Sequence, residues 1–252
     1  MNKTKKNLFT LPFLIITTLT QTLISLLPGI LFLRDSSRGP SILTYMVIYL
    51  LISDFFHLIG KSSYKKGSFI SLPVYGVKLI IATILIFLIA KQTAYQFAVI
   101  LIAYEAFQLL IFSKQFFYID SILYSLLNAF FKGIVFNQLL TINYPFDYKF
   151  DLVKPFIFSF VLILFITILT QGMYSFLKRH GWFLLLAALC LILLYYLLFT
   201  QYAAHETALW KIIIFILCNV SAIYFFIKSK DSQKKEVVLN LFALASLFIY
   251  YF

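Results

Sequence analysis

Acidic residues are scarce in this chain, with 9 Asp and Glu against 21 Lys and Arg in 252 residues. Charge of either sign is sparse as well, at 12% of the residues, where a soluble domain carries about a quarter. With 62% hydrophobic residues, a soluble globule is excluded. Cysteine is nearly absent. Cys190 and Cys218 fall in apolar runs without metal-ligand spacing or an extracellular pairing pattern, and read as buried thiols. His180 and His205 stand alone, and read as solvated or interfacial side chains. The chain has no Gly-rich phosphate loop, paired-histidine metal motif or serine nucleophile elbow. It also lacks a loop long enough for a soluble domain, a low-complexity tract or an internal repeat, so residues 1–252 read as one transmembrane helical domain.

What the chain does have is apolar runs. Crossing a hydrocarbon core of about 30 Å takes about 20 mostly apolar residues in a helix. Such runs predict an all-α, polytopic integral membrane protein with about nine transmembrane helices, near 9–33, 41–60, 72–90, 94–112, 119–140, 155–177, 182–200, 208–228 and 237–252. Lys3, Lys5 and Lys6 precede the first run in the manner of a secretory signal. That run is too long for a signal core and no small-residue cleavage site follows, which makes it an uncleaved first helix. With the N-terminus cytosolic, thirteen Lys and Arg lie inside and six outside, which satisfies the positive-inside rule and sends the C-terminus outside. Asp35, Asp147, Asp151 and Glu206 gather mainly on the outer side. The location expected is a bacterial plasma membrane. A net charge of +12 would suggest nucleic acid in a soluble domain. Here the basic residues lie between spans, where they set orientation and meet anionic lipid or an anionic substrate, and no nucleic-acid partner is implied.

Polar side chains then single out particular segments. In 53–67, SDFFHLIGKSSYKKG, the residues Asp54, His57 and Lys61 lie three and four apart, hence on one helix face. They either mark the charged end of a helix at the interface or line a polar pocket at its cytosolic mouth. Glu105 sits near the middle of the fourth span, Lys132 in the fifth, and Lys78 one to two turns into the third. Each ionisable group at such depth calls for a partner or a function, and an ion pair of Glu105 with Lys132 or Lys78 would neutralise both charges. Gln108, Asn128, Asn137 and Gln138 add amides to the fourth and fifth spans, a common means of joining membrane helices. The 30 Phe and 17 Tyr suit lipid contact and interfacial belts, and would equally suit a tunnel for an isoprenoid chain.

Nine spans, an inside N-terminus and polar motifs ending the second and sixth helices together resemble the UbiA-type intramembrane prenyltransferases. In that family an N-D-x-x-D-x-x-x-D pattern and a second pair of aspartates hold Mg²⁺, which grips an isoprenyl diphosphate. Ser53, Asp54, His57 and Lys61 match the first pattern in spacing, with only Asp54 retained as an acid. On the same resemblance Tyr104, Lys114, Asp120, Asn128 and Gly133 fall at pocket or loop positions, and Gln171 and Gly181 lie at the sixth helix. No acid occurs between Asp151 and Glu206, so the second aspartate motif is missing. Mg²⁺ is expected for the family, yet its acidic ligands are mostly replaced. The replacements suit an anion instead. Lys61, Lys65, Lys66, Lys178 and Arg179 would form a metal-independent clamp for a phosphate or diphosphate, with Asp54 or His57 as proton acceptor for an incoming nucleophile. Lys132 joins the basic residues on the substrate side.

Three classes of function are compatible with these features. The first is transfer of an isoprenyl group to a lipophilic acceptor. In a second, a transport or permease subunit, Glu105, Lys132 and Lys78 would line a path and a separate ATPase would supply energy. The third is a noncatalytic lipid-binding or immunity-type membrane protein on a transferase scaffold.

Overall fold

The computed structural model describes residues 9–32, 41–66, 70–93, 95–111, 119, 121–141, 152–174 and 180–252, the side chains at 41, 64–66, 72, 111 and 180 excepted. Among the described residues there are helices and short connections and no strand. In chain order they are α1 (Leu11–Phe32), α2 (Ser41–Lys66), α3 (Leu72–Gln92) and α4 (Gln96–Ile111). They continue with α5 (Ile122–Thr141), then α6 (Ile157–Met173), α7 (His180–Ala203), α8 (Leu209–Lys228) and α9 (Ser232–Tyr251). Every expected span coincides with one of these helices. Seven of them, all but α4 and α9, are long and apolar enough to cross a membrane. The described part of α4 has 16 residues, and α9 opens on Gln233, Lys234, Lys235 and Glu236.

Large apolar side chains stand exposed in rows on α3, α7 and α8, among them Ile80, Phe87, Ile192, Phe199, Leu217 and Ile227. Surfaces of that extent face lipid rather than water. The chain is an integral membrane protein. Boundaries move where local chemistry dictates. α2 continues six residues past the expected end at residue 60, since Lys61, Ser62, Ser63, Tyr64, Lys65 and Lys66 contain no breaker. The segment expected as a loop before α9 is already helical from Ser232, because the Asp231 side chain accepts the Gln233 N–H at 3.1 Å and caps the helix. His205, in the turn after α7, takes a positive φ of 59°. Cys190 is buried as expected, whereas Cys218 is only half-buried.

The contacts group the chain into two compact units, Met1–Thr22 with Arg38–Tyr118 and Leu23–Ser37 with Ile119–Phe252. In the first, α2, α3 and α4 bury Met46, Leu50, Leu58, Ala82, Ile86, Ile89 and Leu101.

The second unit is built around α5 and α6. Its core takes in Ile24, Leu27, Phe158, Leu162, Leu194, Phe215, Phe242 and Leu247. Phe158 stacks on Tyr250 with ring centroids 3.9 Å apart, and the Tyr251 hydroxyl donates to the Pro155 carbonyl at 2.6 Å, so the end of α9 is held at the start of α6. α5 begins on Ser121, whose hydroxyl accepts the Tyr124 N–H at 3.2 Å. Midway it widens into a π-helical turn over Phe130–Val135. Asn137 secures that turn. Its amide nitrogen donates to the carbonyls of Lys132 at 3.1 Å and Gly133 at 3.0 Å, while its oxygen accepts the Gly29 N–H of α1 at 2.7 Å. Pro28, inside α1, removes one backbone donor next to this contact, and a Cβ at Gly29 would stand 3.0 Å from the Asn137 oxygen. Asn137→Ala removes every one of these bonds. Thermal unfolding in detergent is expected to show a loss of about 1–2 kcal/mol, and an unchanged midpoint would mean that the π turn is held by packing alone.

Candidate functional site in the first unit

Three polar residues of the second helix are buried rather than solvated. Asp54, His57 and Lys61 are 0%, 4% and 5% exposed. They follow one another along a single face of α2, as their spacing requires, and that face is closed in. The Thr22 hydroxyl of α1 donates to Asp54 Oδ2 at 3.0 Å. His57 Nδ1 lies 3.1 Å from Gln108 Oε1 of α4. With Nδ1 donating to that amide oxygen, which only accepts, Nε2 is the basic atom of the imidazole.

The same unit holds a buried ion pair between α3 and α4. Lys78 of α3 pairs with Glu105 Oε2 of α4, and the two are 2% and 6% exposed. Of the two partners expected for Glu105, Lys78 is the one it meets, while Lys132 belongs to the second unit. Aromatic hydroxyls surround the pair. The Lys78 ammonium stands 5.7 Å from the Tyr75 ring centroid. Tyr49 and Tyr104 are wholly buried with ring centroids 6.3 Å apart, and the Tyr49 hydroxyl donates to the Leu101 carbonyl at 3.4 Å. A neutral pair of this kind meets the requirement for a buried charge without invoking chemistry.

Beside the polar face, α1 and α2 leave an apolar groove of about 300 Å³ lined by Ile15, Thr18, Leu19, Leu51, Ile52, Phe55 and Phe56. Its size is that of a small ligand pocket, and its lining suits hydrocarbon.

The remaining expected site residues divide. Tyr104 lies in the first unit, against Tyr49 and Phe107. Asn128, Lys132 and Gln171 lie in the second. There Asn128 donates to the Thr167 hydroxyl at 3.1 Å, and Gln171 accepts from Ser125 and donates to the Ile119 carbonyl at 2.6 Å. These two amides join α5 to α6, as expected of amides in membrane helices. Lys132 is buried within the π turn. Lys114, Asp120, Lys178 and Arg179 lie outside the described residues, as do the side chains of Lys65 and Lys66.

Two polar features were not anticipated from sequence. Thr22 has no signature, because a threonine in an apolar run is unremarkable until its partner is known. Glu236 and Asn240, 0% and 1% exposed, are four apart on one face of α9, and that spacing was available as a signal. Glu236 stands in electrostatic contact with Tyr174 at the end of α6.

Among the described residues no three His, Cys, Asp or Glu side chains come together in a way that could hold a metal ion. Asp54 accepts from the Thr22 hydroxyl, and by itself it supplies one acid where Mg²⁺ takes an oxygen-rich set. No family model, curated protein or solved structure matches the chain.

Proposed function

We propose that this chain is a nine-span plasma-membrane protein of bacterial type, N-terminus cytosolic and C-terminus outside, on a scaffold like that of the UbiA-type prenyltransferases. It binds an isoprenyl diphosphate and transfers the isoprenyl group to a lipophilic acceptor without a bridging metal ion. One observation carries this proposal: Asp54, His57 and Lys61 form a buried polar face rather than a solvated helix end. Lys61 supplies charge to the diphosphate, together with the basic residues that flank it and Lys178 and Arg179. The apolar groove of α1 and α2 offers hydrocarbon surface for the chain. In the transfer step the C–O bond to the diphosphate breaks and the acceptor's electron pair forms the new bond to that carbon. The acceptor's proton goes to His57 Nε2 or to Asp54, and diphosphate leaves. Gln108 fixes the histidine tautomer that this requires.

A noncatalytic lipid-binding role is favoured by one feature of the same site, the engagement of Asp54 and His57 by Thr22 and Gln108. Binding and turnover separate the two. Isoprenyl diphosphate binding to the purified protein in detergent is expected to persist when Mg²⁺ is replaced by chelator. Lys61→Met combined with Arg179→Met is expected to weaken it by about tenfold or more. Loss of binding on chelation, or no effect of the double substitution, overturns the basic clamp. Binding without release of diphosphate in the presence of candidate acceptors assigns the noncatalytic role.

A further inference from the structure

α8 has 20 residues and is therefore about 30 Å long, the thickness of a typical hydrocarbon core. Its ends lie at the levels where lipid headgroups begin, and they differ in charge. At its start stands one lysine, Lys211, 6.0 Å from the Trp210 ring centroid. At its other end and across the short turn into α9, Lys228, Lys230, Lys234 and Lys235 fall within eight residues. Asp231 is the one exposed acid among them, and its carboxylate accepts the Gln233 N–H. Glu236 is wholly buried, in electrostatic contact with Tyr174. Among the described residues none of the four lysines forms a salt bridge. Rings of α8 hold two of them. The Lys228 ammonium lies 5.5 Å from the Tyr224 ring centroid and donates to the Tyr224 hydroxyl at 3.5 Å. From α9, the Lys235 ammonium reaches back to 4.7 Å from the Phe226 ring centroid. Ring contacts orient a cation and leave it N–H donors for an anion. In the same last turn of α8, Phe225 and Ile227 are 54% and 74% exposed, which places apolar surface beside the charges.

We propose that the turn between α8 and α9 is a binding site for the headgroup of an anionic phospholipid. The lysines take the headgroup phosphate, and the exposed end of α8 takes the acyl chains. A basic residue at the end of a membrane helix favours anionic lipid by about fivefold. Rings that already position Lys228 and Lys235 lower the side-chain ordering that binding requires. A zwitterionic phospholipid carries a cation beside the same phosphate, and four lysines repel that cation, so the site discriminates by net headgroup charge. Free phosphate lacks the acyl chains that α8 accommodates. The site lies in the second unit, needs neither diphosphate nor isoprenoid, and is independent of the transfer reaction.

The test uses the full-length protein in detergent micelles doped with phosphatidylglycerol or with phosphatidylcholine of the same acyl chains, and counts retained lipid by native mass spectrometry at low ionic strength. Wild type is expected to prefer phosphatidylglycerol by about tenfold or more. Lys228→Gln with Lys235→Gln is expected to cut that preference by about fivefold or more. Lys228→Arg with Lys235→Arg, which keeps the charge and the ring contacts, is expected to retain it. Lys91→Gln with Lys211→Gln removes the same charge from the ends of α3 and α8 and is expected to match wild type. Inorganic phosphate, added at constant ionic strength, is expected not to displace phosphatidylglycerol. Equal retention of the two lipids by wild type overturns the site, as does undiminished preference in the Lys228 and Lys235 glutamine variant or an equal loss in the Lys91 and Lys211 variant. Displacement by inorganic phosphate overturns it too, and assigns the lysines to a soluble anion.

Discussion

Lys78→Met, with Glu105 left in place, is expected to lower the unfolding free energy by about 3–5 kcal/mol. The substitution itself is nearly volume-conserving. What it leaves behind is a carboxylate that is 6% exposed and has lost its cation. Glu105→Leu alone strands the ammonium of Lys78 in the same way and belongs to the same range. Both changes made together are expected to bring stability back to within about 1 kcal/mol of wild type, because the desolvation cost of both charges disappears along with their attraction. Unfolding in mixed detergent micelles of the wild type, the single variants and the double variant measures this as a cycle. If the double variant is as unstable as the sum of the singles, the pair is not a coupled unit.

Gly133→Ala is the second large effect. A Cβ at this position would stand 2.6 Å from the Phe160 Cα and 2.8 Å from the Phe160 nitrogen. Both atoms are backbone, so no side chain can swing aside and α6 itself has to move from α5. The Gly133 carbonyl also accepts from the Ser159 hydroxyl at 3.0 Å, a bond that the same displacement breaks. A loss of about 3 kcal/mol is expected, and more for Gly133→Val. Gly76→Ala provides the contrast. Nothing lies within 4 Å of a Cβ there, and the change is expected to fall within about 0.5 kcal/mol of wild type. Thermal unfolding of the two variants side by side separates close helix approach from a general sensitivity of helical glycines.

The contrast between α2 and α5 shows what a sequence of this kind discloses. Spans were legible because an apolar run near membrane length admits only a helix. The face of Asp54, His57 and Lys61 was legible because helix geometry alone fixes it. Its burial was not, since that depends on where Thr22 and Gln108 arrive from segments 32 and 51 residues away. Glu105 was recognisable as a charge in need of a partner, but two lysines met that need equally until helix packing chose Lys78. The π turn in α5 left no mark, because a widened turn depends on the carbonyl acceptors met by Asn137 and Ser159 rather than on propensity. Glu236 was obscured by its neighbours. Lys234 and Lys235 made the segment look like a solvated loop, although the Asp231 cap had already started the helix.

The length of α2 bears on the membrane as much as on the protein. With 26 residues it reaches about 39 Å, more than a typical hydrocarbon core of about 30 Å. A helix longer than the core tilts, or the bilayer thickens against it, at fractions of a kcal/mol per ångström of mismatch. Bilayer thickness then becomes a control parameter: lipids with longer chains relieve that mismatch and shorter ones increase it, with no change in sequence.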